Sequence, residues 1–376
     1  MRGLVVVDAS RNIGGAYCSR LLAALGAEVL LLEPPGGHPL RSAPPWITVT
    51  DDGPRSAAWE YLGAGKRSAV VDLDADADDA ALLRSAAGAD VVLLSFDGDA
   101  ERARTQQRAE RLRAAHPALV VVVLSGFGLR GPYAGYRSTP LVDWAMGGHL
   151  LLNGEPFREP IAGAGPWSSY LGGATATIAV QAAALRARYS GEGDLIDIGN
   201  MEAAAACHQW SITIYTHQGV RKTRWGNRHG EAHHPLALYA CTDGWVVIGA
   251  VSRHQWEGLC IAADAVELLA DDALYTPAER FDRMEEVDAA INPFFAARTR
   301  AEAVRELQEH RCPAGQVLNL AETLRSPQLE ARGFWAVPDG LGSRARLPGP
   351  PFRLNGRHLE LGPAPRLGAH QEVLSR

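Results

Sequence analysis

Over its first 125 residues the chain repeats one pattern: a short, nearly continuous apolar run, then a longer segment with apolar residues spaced three and four apart. The runs "GLVVVDAS", "EVLLLEPP", "KRSAVVDLD", "DVVLLSF" and "ALVVVVLSGFG" have the length and β-branched content of strands buried on both faces. Between them, "AYCSRLLAALGA", the acidic, alanine-rich "ADDAALLRSAAGA" and "AERARTQQRAERLRAAHP" read as helices. In the first, Leu21, Leu22 and Leu25 share a stripe with Tyr17 and Cys18 a turn earlier. This alternation predicts a large Rossmann-like α/β domain, a parallel sheet covered on both faces with right-handed crossovers. Ligands of such sheets sit beyond the carboxyl ends of the strands.

After "GLRGPYAGYRS" the pattern turns helical, through "TPLVDWAMGGHLLL", the small-residue stretch "GPWSSYLGGATA" and "NMEAAAACHQWSITIYTHQG". The basic, irregular "RKTRWGNRHGEAHHP" marks a boundary. A smaller α+β module follows, with a hairpin "LALYACTDGWVVIGAV" turning at Asp243-Gly244 and helices "RHQWEGLCIAA", "RFDRMEEVDAAINPFFAA" and "RAEAVRELQEHR". The tail from Gly333 is rich in proline, glycine and arginine and reads as strand and loop returning to the first domain. The expected division is 1–220, 221–330 and 331–376.

Composition narrows the partners. A formal charge of -6 and the lack of a basic run with interleaved aromatics argue against nucleic-acid binding. No apolar run approaches a membrane span and "MRGLVVVDAS" has no cleavage-site pattern, so a cytoplasmic location is expected. Five scattered cysteines without a C-x-x-C pair argue against a disulfide framework or a zinc site. An anionic ligand would be held by local clusters of arginine.

Four constellations suggest chemistry. The opening strand, glycine turn and helix, with Glu33 ending the second strand, imitate a dinucleotide fingerprint, but "SRNIGGAYCS" offers only the adjacent Gly14 and Gly15 where G-x-G-x-x-G is needed. NAD is therefore not expected, and the turn remains a place where backbone can approach a ligand. His229, Glu231, His233 and His234 lie close in sequence, yet Gly230 and Pro235 interrupt any helix, so a polar linker is expected there and no metal. Asp143 is the one acid in an apolar helical stretch; a buried carboxylate suits acid–base work, while the simpler reading is a helix-surface or capping acid. Ser168 and Ser169 stand where helix caps are expected. Gly172, Gly173, Ala174 and Ala176 point to a helix pressed closely against another element or a ligand.

The ordered set "GLVVVDASRNIGGAYCSRLLAALGAEVLLLEPPGG", "GKRSAVVDLD", "GADVVLLSF", "LVVVVLSGFGLRGPYAG", "GEGDLIDIGNMEAA", "GNRHGEAHHPLALYACTDGWVVIG", "SPQLEARGFW" and "PAPRLGAH" resembles the family III coenzyme A transferases, also called the CaiB/BaiF family, over nearly the whole chain. The resemblance implies a large α/β domain made from both chain ends, a smaller domain near the C-terminus, and an interlocked dimer. It implies coenzyme A or an acyl-CoA as substrate with a carboxylic acid as acceptor. Position by position it implies backbone contacts to coenzyme A at Asn12, Ile13 and Gly14, contacts at Ser95 and Phe96, and cations at Arg102, Arg104 and Arg137, which suit the anionic 3′-phosphate and pyrophosphate.

One departure bears on the chemistry. The resemblance places Ser169 where transferases of the family carry an aspartate, whose carboxylate attacks the thioester to give a mixed anhydride and then an enzyme thioester. An acyl-serine ester would return its acyl group to a thiol far less readily. The family's racemases are similar in sequence but carry acids and bases where this chain has Thr139, Ser169 and Ser252, which cannot exchange protons at neutral pH. Two readings stay open: a transferase-like enzyme with a divergent centre at Ser169, assisted by Asp143, and a catalytically silent subunit interlocked with an aspartate-bearing paralogue; the expected assembly is accordingly a homodimer or a heterodimer with that paralogue. A lyase, hydratase or thioesterase on the same scaffold is a third.

Overall fold

The structure, a computed structural model, describes residues 3–49, 53–75, 79–230, 233–337, 346–357 and 360–375. They fall into two units: one of Met1–His149, Gly163–Gln209 and Pro327–Arg376, the other of Leu150–Ala162 and Trp210–Ser326.

The first unit is built on a six-stranded parallel sheet. Its strands are β1 (Val5–Asp8), β2 (Glu28–Glu33), β5 (Arg67–Val70), β6 (Val91–Ser95), β7 (Val120–Ser125) and β8 (Leu195–Gly199), while β3 (Trp46–Val49) and β4 (Gly53–Ser56) pair apart from them. The order β5-β2-β1-β6-β7-β8 puts the reversal of strand order between β1 and β6, and open parallel sheets bind ligands at the carboxyl ends beside such a point. Every residue of β7 is buried, as its valine run requires of a strand covered on both faces. Among the described residues of this unit are the helices α1 (Ile13–Ala24), α2 (Ala57–Leu62), α3 (Ala80–Ala86), α4 (Asp99–Ala115), α5 (Pro140–Met146), α6 (Trp167–Ser190) and α7 (Asn200–Ala206). On one face Val7, Leu94, Val121 and Leu112 pack together; on the other Cys18 and Leu22 of α1 meet Ala176 and Val180 of α6 over Val6 and Leu93.

Helix α8 (Gln209–Gln218) crosses the division between the units. The second unit has an antiparallel sheet of β9 (Leu236–Cys241), β10 (Gly244–Gly249) and β11 (Ala314–Gln316); β9 and β10 form the expected hairpin, but its turn is Thr242-Asp243, one residue earlier than expected, because Gly244 already pairs with Cys241. The segment expected as a single helix divides at Arg283 into α10 (Pro277–Asp282) and α11 (Met284–Ala296), between α9 (Arg253–Ala262) and α12 (Arg300–Glu309). Arg280 of α10 is fully buried, and its guanidinium donates to the carbonyls of His234, Leu274, Ala250 and Val251 and lies over the Trp256 ring.

Candidate active site

Helix α1 begins one residue after Asn12, whose Oδ1 accepts from the Gly15 N–H at 2.8 Å and whose Nδ2 donates to the Leu124 carbonyl at 3.1 Å. One side chain thus caps the helix and ties its start to the end of β7. Gly14 and Gly15 therefore lie inside the first helical turn, not in a turn ahead of it. A Cβ on Gly15 would stand 2.1 Å from Ser10 Oγ, and one on Gly14 3.2 Å from the Ser169 carbonyl oxygen. Beneath them is a buried polar group: Asp8 accepts from Ser10 Oγ at 2.6 Å and Ser19 Oγ at 2.5 Å, while Lys66 Nζ reaches Asp8 at 3.4 Å and the Ala16 carbonyl at 3.0 Å. Burial pulls the Lys66 ammonium below its ordinary pKa, with Asp8 opposing.

Helix α6 starts at Trp167, with Pro166 in the cap position and no side-chain capping bond. This corrects the expectation that Ser169 caps it, because the cap is the last residue outside the helix and proline occupies that place. Ser168 and Ser169 are both buried in the first turn. The small residues have a geometric reason. A Cβ on Gly173 would fall 2.4 Å from the Gly14 carbonyl oxygen, and one on Gly172 2.1 Å from Asn200 Oδ1, so α6 lies directly against α1 and against the start of α7.

Asp143 is 1% exposed, which overturns the reading of a surface acid. It accepts hydrogen bonds from Ser138 Oγ, from Ser168 Oγ at 3.2 Å and from Asn200 Nδ2 at 3.0 Å. Ser168 Oγ also lies 3.1 Å from the Pro140 carbonyl. Burial holds the Asp143 carboxyl above the ordinary aspartate value, against the lowering effect of Ser138, Asn200 and Ser168. The folded chain thus keeps this proton to a higher pH than the unfolded chain does. The contribution to stability is greatest in acid and falls as pH rises from the ordinary aspartate value through the raised one. Asp143→Asn removes that titration, so its melting temperature relative to the parent is expected to improve as pH rises from the ordinary aspartate value, about pH 4, through the raised one. Melting curves of the two proteins that run parallel across this range would contradict the assignment.

At the carboxyl ends of β1 and β6, Arg11 N donates to Ser95 Oγ at 2.7 Å, so the expected residue Ser95 meets the same turn as Asn12, Ile13 and Gly14. Phe96 is placed differently: its side chain is buried in the core beside Leu94 and Val123. Arg104 lines a narrow cleft of about 30 Å³ with Arg11, Arg108, Ser95 and Thr105, and it shares Asp74 with Arg11, at 3.6 and 2.7 Å. Sequence reasoning missed Arg11 and Arg108; the first directly precedes Asn12, and the second lies one helical turn beyond Arg104. Arg102 is held by Asp99 at 2.7 Å and by the Leu129 carbonyl at 3.3 Å. Arg137 is exposed, with its Cγ 3.3 Å from where a Cβ on Gly98 would stand, at the start of α4. Thr139 caps α5 and Ser252 caps α9.

Glu33 ends β2 as expected, but its oxygens are engaged: Arg41 binds both at 2.6 and 2.7 Å, Ser68 Oγ donates at 2.5 Å and His38 N at 2.8 Å. Although burial alone would raise it, these partners hold the carboxyl below the ordinary glutamate value. Of the four residues weighed as a metal group, Glu231 lies outside the described residues and His234 is buried with Nε2 3.0 Å from Asp288. Among the described residues no helix is long and apolar enough to cross a membrane.

Comparison with known proteins supplies the context of this arrangement. The model for CoA-transferase family III matches residues 1–371. The chain is 28% identical over 383 residues to a succinate–glutarate CoA-transferase of Agrobacterium fabrum, covering 99% of this chain and 94% of the relative. It is 29% identical over 394 residues to the succinyl-CoA:(R)-benzylsuccinate CoA-transferase subunit BbsE of Thauera aromatica, covering 98% and 92%. A CaiB/BaiF family protein from Brucella suis has a similar structure, with a TM-score of 0.85 at 27% identity over 100% of this chain and 98% of that one. A family model that runs through both units, together with relatives matched almost end to end, means that this chain belongs to CoA-transferase family III.

Proposed function

We propose that the chain binds a coenzyme A thioester along the ridge from Ser169 through Gly14, Ile13 and Asn12 to Ser95, and serves acyl-CoA:carboxylate coenzyme A transfer with Ser169 in the place of the nucleophilic aspartate. The observation that supports this reading is the approach of Ser169 to the first glycine turn, its carbonyl oxygen 3.2 Å from where a Gly14 Cβ would stand. Amides at the start of α1 present partial positive charge, and Arg11, Arg104, Arg108 and Arg137 are cations suited to phosphate. Among the expected contacts, Phe96 contributes through its backbone and Arg102 through the charge it keeps near α4.

The chemistry of residue 169 is the departure. A serine hydroxyl needs a neighbouring base to attack a thioester. Asp143 is bonded to Ser168, the neighbour of Ser169 in sequence, and is sealed by three donors, so it acts as a positioning residue for the first turn of α6. The chain's own groups then bind and orient the thioester, and the attacking carboxylate comes from the acceptor acid. That carboxylate oxygen adds to the acyl carbon as the C–S bond breaks, giving a mixed anhydride and coenzyme A thiolate. The thiolate then attacks the acceptor's carbonyl and releases the first acid.

A second reading, a silent subunit beside an aspartate-bearing paralogue, is favoured by the outer face of α6. There Ile178, Leu185 and Tyr189 are 70%, 58% and 87% exposed, an apolar stripe suited to a second chain. One relative is itself named as a subunit. The discriminating experiment gives the purified chain an acyl-CoA, a free acid and labelled coenzyme A. Label exchange by the chain alone supports the first reading and ends the second; exchange that needs a co-purifying paralogue does the reverse. No binding of coenzyme A by calorimetry would overturn both.

A further inference from the structure

Resting on the reading that a coenzyme A thioester lies beside Ser169, we propose that the groove between Trp144 and Trp167 receives its acyl end and selects an uncharged aromatic or aliphatic group over one ending in a second carboxylate. The groove is shallow, a cavity of about 40 Å³ lined by Pro140, Leu141, Trp144, Gly163, Trp167 and Ser168 among others, and it opens to solvent where Leu141 and Trp167 are exposed. It is far below what a whole drug-sized ligand needs, so what it offers is an apolar seat for the end of an acyl group whose remainder lies over the exposed Trp167 and Leu141. Ser168 places the groove one residue from the point of attack at Ser169.

No lining residue carries a charge. A distal carboxylate entering there would lose its hydration with no cation to pair with. An apolar ring or chain would instead gain contact with two indoles and a leucine. Trp144 adds a directional element: its Nε1 is buried without a hydrogen-bond partner, an N–H able to donate to the acyl carbonyl oxygen. One face of that indole stacks on His149, with ring centroids 4.1 Å apart at 18°, which fixes the ring.

Gly163 forms the floor. A Cβ there would lie 3.6 Å from Trp144 Nε1 and 3.9 Å from Trp167 Cδ1, ordinary contact on both sides. Alanine therefore fits the fold, while the two methyls of valine would enter the groove.

The test is calorimetry of the full chain with free coenzyme A, phenylacetyl-CoA and succinyl-CoA as probes. Phenylacetyl-CoA is expected to bind about tenfold or more tighter than free coenzyme A, the gain of burying an aromatic ring, and succinyl-CoA no tighter than free coenzyme A. Gly163→Val is expected to bring the ratio of the phenylacetyl-CoA and coenzyme A affinities close to one, and Trp167→Ala, at an exposed position, to reduce it in the same direction. If coenzyme A binds but phenylacetyl-CoA gains nothing, or succinyl-CoA is preferred, the groove proposal is overturned while thioester binding stands. If none of the three binds, the underlying reading fails and this one with it.

Discussion

Replacing Gly173 by leucine is expected to prevent the first unit from folding to its native packing. The reason is the contact between α6 and α1. A Cβ at residue 173 would lie 2.4 Å from the Gly14 carbonyl oxygen, 3.2 Å from Tyr17 Cβ and 3.3 Å from Cys18 N. Two of these are backbone atoms of a helix, so no side chain can rotate away. The helices must separate, and separation takes Ala176 and Val180 away from Cys18 and Leu22. Alanine alone is expected to destabilise by about 1 to 3 kcal/mol, as overpacking of a tight core does. That sign is diagnostic, because glycine to alanine inside an unobstructed helix stabilises by about 1 kcal/mol. Gly88, in the turn that follows α3 and outside any helix, has a Cβ position that meets nothing within 4 Å and supplies the control for obstruction alone. Urea denaturation of the two alanine variants tests the pair: a loss at residue 173 with little change at residue 88 is expected, and equal effects would contradict the close approach.

The second large effect is a gain. Ser169→Asp is expected to raise coenzyme A exchange by the purified chain by about a hundredfold, or about 2.7 kcal/mol of barrier. The carboxylate would stand in the first turn of α6, where the helix dipole favours negative charge. A carboxylate can form the anhydride that a serine hydroxyl without a base cannot, and the anhydride is activated enough to accept the thiolate.

Much of this site was legible in the chain before its structure. The runs around Val5–Asp8, Val91–Ser95 and Val120–Ser125 are strands because continuous valine and leucine can be satisfied only between two covering layers. The close packing around "YLGGATA" was also legible, since only contact explains two adjacent glycines in a long helix. What local pattern could not show was pairing across distance. Asp143 reads as a surface acid until Ser168 and Asn200, 25 and 57 positions away, come to it. Arg11 carries no signal of its own until Asp74 and Arg104 are beside it. The cap of α6 was misread because serine is the preferred residue type, whereas the backbone assigns the position to Pro166.

The claim on which these expectations depend is that residue 169 occupies the point of attack on a bound thioester. Mass spectrometry of the Ser169→Asp protein after incubation with an acyl-CoA measures this directly. The account predicts a covalent acyl or coenzyme A adduct on the peptide containing residue 169 and none on the parent protein. A variant that still binds coenzyme A but carries no adduct, or carries it on another residue, would contradict it.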